Sequence, residues 1–216
     1  MTALAGLHPT EPPLPIVIVG HVDHGKSTLV GRLLNDTGSL PDGKVEALRE
    51  MSRRRGMPFE WSFVMDALQA ERDQGITIDT TQVRFRTQRR PYVIIDAPGH
   101  KEFLKNMVTG AASAEAALLV IDVLEGALEQ SRRHAYLLHL LGVRQVAVVI
   151  NKMDMCDFSA ERYRAVADGI LGYLAEIGVT PSAVVPVSAR HGNNVVERCR
   201  HMAWYTGPTV TGALDA

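Results

Sequence analysis

The sequence is poor in cysteine, in aromatic residues and in net charge, and the shortages of cysteine and of charge each argue against a class of protein. Its 216 residues include 2 cysteines and 6% aromatic residues, and the formal net charge is −1. Cys156 and Cys199 lie far apart and form no CxxC pair, which argues against a disulfide-rich secreted scaffold and predicts free thiols in a reducing cytoplasm. A charge this close to zero provides no general attraction to nucleic acid or to an anionic membrane.

Long apolar runs and a secretory signal are also missing. No run approaches the roughly 18 apolar residues of a membrane span, so we expect no membrane association. The N-terminus has no basic region followed by an apolar stretch. Residues 1–14 have no periodic pattern and several prolines, which predicts a flexible leader. Residues 15–216 have the length of one α/β domain with a substantial core.

Short apolar runs alternate with helical patterns along this domain, which is typical of a mostly parallel sheet. Residues 16–19 predict a buried first strand, and residues 26–34 predict the helix that follows it. An antiparallel edge pair is predicted from residues 80–86 and 91–95, which flank a polar turn. The other predicted strands are residues 116–121, 145–150 and 183–187, and the other predicted helices are residues 101–111, 130–141 and 160–177.

Residues 36–75 fit this alternation least well. They contain several turn-forming glycines and prolines, a run of three arginines at residues 53–55, and a helical patch at roughly residues 61–72. A stretch this long between the first helix and the second strand predicts either a functional lid or partial disorder. For the arginine run we expect a solvated face, with RNA, a partner or a phosphate as alternatives.

A phosphate-binding loop follows the first predicted strand. Residues 20–28 read GHVDHGKST and satisfy GxxxxGK[ST] between a strand and a helix, which predicts a three-layer P-loop NTPase fold. Main-chain N–H groups and the helix N-terminus would hold phosphates, Lys26 would reach the β- and γ-phosphates, and the Ser27 hydroxyl would bind Mg²⁺. A transition-metal site formed by His21 and its neighbours is a less favoured alternative. The predicted nucleotide-binding residues here are Asp23, His24, Gly25, Lys26, Ser27 and Thr28.

Two later motifs predict that the base is guanine. Residues 151–154 read NKMD and match the NKxD motif, in which Asp154 would accept hydrogen bonds from the N1–H and the amine of guanine. Adenine presents the wrong donors at that edge, so a buried carboxylate would reject it. Lys152 would stack over the base, and Asn151 would tie this loop to the phosphate loop. Ser188, Ala189 and Arg190 follow the last predicted strand and form a loop whose backbone would close over the guanine oxygen.

A third motif predicts a switch that senses the γ-phosphate. Residues 96–100 read DAPGH and match DxxG. Asp96 would hold Mg²⁺ through a water, and the N–H of Gly99 would contact the γ-phosphate, which is present only in the triphosphate. His100 stands where many GTPases orient the attacking water and is the predicted catalytic residue. Thr77 would be the second hydroxyl ligand to Mg²⁺. We therefore expect the hydrolysis of GTP to GDP and phosphate.

Together these motifs resemble the translation-factor class of GTPases over about residues 15–215. Within that class, the GTPase subunit of bacterial sulfate adenylyltransferase is similar in residues 66–72, 130–134, 192–195 and 202–209. That resemblance implies a heteromer in which GTP hydrolysis drives a catalytic sulfate adenylyltransferase subunit to make adenosine 5′-phosphosulfate and pyrophosphate from ATP and sulfate. It also implies β-barrel domains after this one, and thus a domain excised from a longer chain.

Two features depart from that subfamily. His24 stands where its members usually carry aspartate, as it does in elongation factors, and residues 55–61 resemble the archaeal and eukaryotic factor that carries aminoacyl-tRNA. The short spacing between Asp122 and Gln130 speaks against that factor. Two alternatives to sulfate activation therefore stay open. One is an elongation-factor-like GTPase that delivers aminoacyl-tRNA, the only case in which we expect a nucleic-acid partner. The other is a binding switch with little hydrolysis.

Overall fold

One mixed sheet organises the residues that the computed structural model describes, which are 11–73, 82–95 and 114–216. Within them the strand order is β2-β3-β1-β4-β5-β6. Every neighbouring pair is parallel except β2 and β3, which run antiparallel at one edge. This confirms the predicted α/β fold with a mostly parallel sheet and one antiparallel edge strand. The strands are β1 (Leu14–Gly20), β2 (Gln82–Arg86), β3 (Pro91–Ile95), β4 (Ala116–Asp122), β5 (Gln145–Asn151) and β6 (Ala183–Pro186).

Helices cover both faces of the sheet and give the fold its three layers. Ile16 and Ile18 of β1 face one apolar core, and Val17 and Val19 face the other, because successive side chains of a strand point to opposite faces. The first core is covered by α1, α2, α3 and α6, and the second by α4 and α5. The helices in the described ranges are α1 (Lys26–Asp36), α2 (Lys44–Arg54), α3 (Ser62–Asp73), α4 (Glu129–Leu140), α5 (Ala160–Glu176) and α6 (Val210–Leu214), with 3₁₀ turns at Met153–Cys156 and Arg200–Met202.

The predicted elements within the described ranges agree with the observed ones to about two residues at each end. β4 is buried along its whole length, as expected of a central parallel strand that reads as a continuous apolar run. The predicted helix at residues 101–111 and the first residues of the predicted strand 80–86 lie outside the described residues. Residues 1–10 of the predicted leader also lie outside the described residues, and β1 begins at Leu14.

The segment 36–73 forms two helices, so partial disorder does not apply to this part of the chain. We did not predict α2 from the sequence, although it buries Val45, Leu48 and Ser52 at helical spacing. α3 begins after a close approach to α1, where a Cβ on Gly31 would overlap the carbonyl oxygen of Trp61. Glycine at position 31 therefore lets this segment pack directly against the backbone of α1.

Two expectations from composition can be compared with the structure. Cys156 and Cys199 are both free thiols, as predicted. Among the described residues, no helix combines the length and the apolar character needed to cross a bilayer.

Candidate nucleotide site

The loops after β1, β5 and β6 meet around one pocket at the carboxyl edge of the sheet. Open α/β sheets bind ligands at this edge because the carboxyl ends of their parallel strands converge there. The pocket has a volume of about 540 Å³, which suits a nucleotide-sized ligand. Its lining residues are Asp23, Gly25, Thr28, Phe59, Glu60, Trp61, Asn151, Lys152, Asp154, Met155, Arg190 and His191.

The phosphate loop turns sharply into α1 at Gly25. The φ of Gly25 is +85°, and the side-chain amide of Asn151 occupies the space that a Cβ at this position would need. A side chain here would push the two loops apart, which explains the glycine.

Lys26 lies across the phosphate loop in a buried position. Its Nζ donates a hydrogen bond to the main-chain oxygen of His21 at 2.6 Å. Burial lowers the pKa of the Lys26 ammonium to about 8, and the nearby Asp23 carboxylate opposes that shift. A bound phosphate would restore the favourable environment that burial removes from this ammonium. The loop therefore fits an anionic ligand such as the phosphates of a nucleotide.

His24 points into the protein and fastens the phosphate loop to the sheet. Its fully buried ring donates from Nδ1 to the main-chain oxygen of Val120 at 3.1 Å, and its Nε2 lies 3.1 Å from Oε2 of Glu125. Burial lowers the pKa of His24, partly offset by these two partners. Any contact of His24 with a nucleotide would thus use its main chain. His21 is held in turn by the side-chain oxygen of Gln130 in α4. Both ring nitrogens of His24 are engaged within the protein, which argues against the alternative of a metal site.

Asn151 connects the base-reading loops to the phosphate loop, as predicted. Its Nδ2 donates to the main-chain oxygen of His24 at 3.0 Å. Its Oδ1 accepts from the main-chain N–H of Ala189, also at 3.0 Å. One buried side chain therefore sets the separation of all three loops.

Asp154 is placed by hydrogen bonding within the base-reading loops. Its Oδ1 accepts a hydrogen bond from the Ser188 hydroxyl at 2.6 Å, and its Oδ2 lies 3.9 Å from Nε2 of His191. Ser188 and Ala189 are buried behind the pocket, whereas Arg190 lines it. A carboxylate has about four lone-pair sites, so Asp154 keeps the capacity to accept two more donors.

Several residues of the site were missed by sequence analysis. Asp122, at the end of β4, accepts the N–H of Leu124 at 2.7 Å and pairs with the ammonium of Lys152 at 2.7 Å. Its position at a strand end was the available signal. Phe59 and Trp61 also line the pocket, and the available signal was the clustering of aromatic residues between α2 and α3.

The predicted switch lies outside the described residues. This applies to the catalytic His100, to Gly99, and to the Mg²⁺ ligands Thr77 and Asp96. Ser27, the remaining predicted Mg²⁺ ligand, lies in the first turn of α1 beside the phosphate loop. The roles of these residues stay predictions.

Comparison with known proteins identifies relatives over nearly the whole chain. The family described as the elongation factor Tu GTP binding domain matches residues 11–207. Elongation factor 1-alpha of Thermococcus celer is 44% identical over 205 residues, which cover 95% of this chain and 48% of the relative. Elongation factor 1-alpha of Pyrococcus furiosus is 45% identical, with the same 95% and 48% coverage. The chain therefore spans about half the length of the curated relatives that it matches.

A solved structure agrees with these relatives. The structure of Sup35 complexed with GDP superimposes with a TM-score of 0.63 and 31% identity, covering 93% of this chain and 43% of that one. It shares the fold described above.

The predicted role in sulfate activation is wrong, and the relatives support neither a greatest similarity to the GTPase subunit of sulfate adenylyltransferase nor its catalytic partner subunit. The relatives that cover 95% of the chain are elongation factors 1-alpha. Three residues in the stretches that suggested the subunit serve the packing of this domain: Gln130 holds His21, Asn194 holds the loop after β6, and Met202 is buried in the second core.

Proposed function

Because this chain belongs to the family of the elongation factor Tu GTP-binding domain, we propose that it is the nucleotide-switch domain of a translational GTPase of the elongation factor 1-alpha kind. The ligands of this class are GTP or GDP with Mg²⁺. The reaction is the hydrolysis of GTP to GDP and phosphate. Aminoacyl-tRNA and the ribosome are the partner class that such a function requires.

The observation that supports this function is the position of Asp154. Its carboxylate lines the same pocket as Asp23 and Gly25 of the phosphate loop, and the Ser188 hydroxyl orients it. Guanine offers two adjacent N–H donors to such an acceptor, whereas adenine does not. The pocket therefore suits a guanine nucleotide whose phosphates extend towards Lys26.

The described residues would contribute positioning and charge neutralisation to hydrolysis. Lys26 would exchange the main-chain oxygen of His21 for oxygens of the β- and γ-phosphates. Main-chain N–H groups at the start of α1 would donate to the phosphates and fix their orientation. Ser27 would be one ligand of Mg²⁺, which when bound neutralises charge on the phosphates.

GTP turnover tests this function. We expect calorimetry to show GTP binding at least about 10³-fold more tightly than ATP, because Asp154 would lack partners on adenine. Turnover without a partner should be roughly 10⁻⁴–10⁻² s⁻¹ and should increase when ribosomes are added. Equal affinity for ATP would contradict the assignment of the pocket. Tight GTP binding without stimulation by ribosomes would instead favour a binding switch with little hydrolysis.

A further inference from the structure

One side of the pocket is built by residues that belong to none of the nucleotide-binding motifs. Phe59, Glu60 and Trp61 lie between α2 and α3 and line the same cavity as Lys152 and Asp154. We call these three residues the aromatic wall. A ligand held by the base-reading loop would have the aromatic wall as a neighbour.

The aromatic wall is fastened to α1 and to the base-reading loops through one arginine. The guanidinium of Arg32 lies 5.0 Å from the ring centre of Trp61, a cation–π distance. The same guanidinium packs against the backbone of Gly192, in the loop that follows β6, and Asp36 holds it at 2.7 Å. The carbonyl of Trp61 rests on α1 at Gly31, where a Cβ would overlap it.

A second arginine joins the aromatic wall to α2. The guanidinium of Arg49 lies 5.5 Å from the ring centre of Phe59 and 6.0 Å from that of Trp61. The Phe59 and Trp61 rings meet edge to face, with their centres 5.0 Å apart. The two rings and two guanidinium groups form one packed unit, so the aromatic wall cannot move away from α1 without breaking several contacts at once.

We propose that the aromatic wall encloses the nucleoside half of the bound nucleotide and that its detachment from α1 limits the release of GDP. This inference rests on the function proposed above and concerns the same pocket. A ligand enclosed between the base-reading loops and a packed aromatic segment leaves only when one of them moves. The base-reading loops are held by the buried hydrogen bonds of Asn151, at the end of β5, whereas the aromatic wall is held by packing contacts with α1 and α2.

The substitution Gly31→Ala tests this directly. The added methyl group meets the carbonyl of Trp61 and pushes the aromatic wall off α1, while alanine remains compatible with the helix. We expect radiolabelled GDP, chased with excess unlabelled GDP, to dissociate about tenfold faster, whereas the association rate changes by less than about threefold. Gly172→Ala is the matched control: it lies in α5 with nothing within 4 Å of the added Cβ, and dissociation should be unchanged.

A second variant and a spectroscopic signal keep the test decisive if Gly31→Ala does not fold. Phe59→Ala removes one partly buried ring from the aromatic wall. It should increase the GDP dissociation rate by about threefold or more, because substitutions at a binding site change the dissociation rate more than the association rate. The chain has 2 tryptophans, so Trp204→Phe leaves Trp61 as the single tryptophan, whose emission can be excited selectively. The fluorescence emission of Trp61 should change when GDP binds and should return to its nucleotide-free value at the rate of GDP release.

The outcomes separate this inference from the proposed function. Two results would overturn the role of the aromatic wall and leave the proposed function standing. One is GDP dissociation at the wild-type rate from the folded Gly31→Ala and Phe59→Ala variants, and the other is Trp61 emission that does not change when GDP binds. If the wild-type chain bound no guanine nucleotide, the proposed function would fail, and this inference with it.

Discussion

The loop after β1 and the loops after β5 and β6 border one pocket, but different parts of the chain hold them. Side chains of the phosphate loop bind to β4 and α4 inside the protein, where His24 donates to the main-chain oxygen of Val120 and His21 contacts Gln130. The base-reading loops are held mainly to each other, with Ser188 donating to Asp154 at 2.6 Å.

Because of this difference, we expect the base-reading loops to select the base and the phosphate loop to rearrange when the nucleotide binds. The Asp154 carboxylate is already oriented by a bond that a bound guanine need not break. Lys26 donates to the main-chain oxygen of His21, and a phosphate would have to replace that acceptor. We therefore expect base recognition to be pre-organised and rearrangement on binding to occur on the phosphate side.

The largest effect is expected from Asp154→Asn. The asparagine amide would turn an N–H towards the donors of guanine, so GDP affinity should fall by about 10³-fold. Xanthine carries a carbonyl where guanine has its amine, and xanthosine diphosphate should bind the variant better than the wild type. Calorimetry with GDP and with xanthosine diphosphate measures this change in base preference. Asp157→Asn, an exposed position just beyond the loop, is the control and should bind GDP normally. Unchanged GDP affinity in Asp154→Asn would mean that another group reads the base.

An intermediate effect is expected from His24→Ala. Removing this buried ring leaves a cavity and deprives the oxygen of Val120 of its donor, so the free energy of unfolding should fall by about 2–4 kcal/mol. GDP affinity should fall by about tenfold while the preference for GDP over ADP stays the same, because the base-reading loops keep their own bonds. Denaturant titration and calorimetry check the two parts, with the exposed His139→Ala as control. A loss of base preference would show that the two loops are not independent.

The smallest effect concerns pH on the phosphate side. His134 of α4 is buried, and its pKa is lowered to about 4, first by burial and then by the positive charge of Lys26. The pKa of histidine in an unfolded chain is about 6.5, so the folded state binds this proton more weakly. Above about pH 6.5 His134 is neutral in both states and the folded protein keeps its full stability. As the pH falls from 6.5 towards 4, the unfolded chain binds this proton first, so the free energy of unfolding decreases by about 1–3 kcal/mol. Melting temperatures from pH 8 to 4 should fall less steeply for His134→Gln, and equal slopes would contradict this assignment.

The sheet and the nucleotide motifs could be predicted because their signals are local. β4 is an uninterrupted apolar run between polar residues, and residues 20–28 carry the whole phosphate-loop pattern in one stretch. α2 was missed because its buried face consists of Val45, Leu48 and Ser52 only, a weak helical pattern. Its position comes from the packing of Val45 and Leu48 in the core that α1 and α3 also line, which no single stretch of sequence encodes.

The choice between two related GTPase families failed for a similar reason. Gln130, Asn194 and Met202 looked characteristic of one subfamily, yet in the structure they hold this domain together. His24 was the more informative residue, because it was one of the features that departed from that subfamily. A motif that maintains the fold is shared by relatives with different partners.

The sequence alone predicted the alternation of strands and helices apart from α2, the phosphate loop, and the guanine preference that we propose for Asp154, because each of these signals depends on neighbours along the chain. Tertiary structure alone decided that His24 turns inward to Glu125, that Asp122 holds Lys152, and that the aromatic wall borders the pocket. His24 and Glu125 are 101 residues apart in sequence. Such pairs meet only because β1 and β4 lie side by side in the sheet, and the physical cause is the burial of two apolar cores against that sheet.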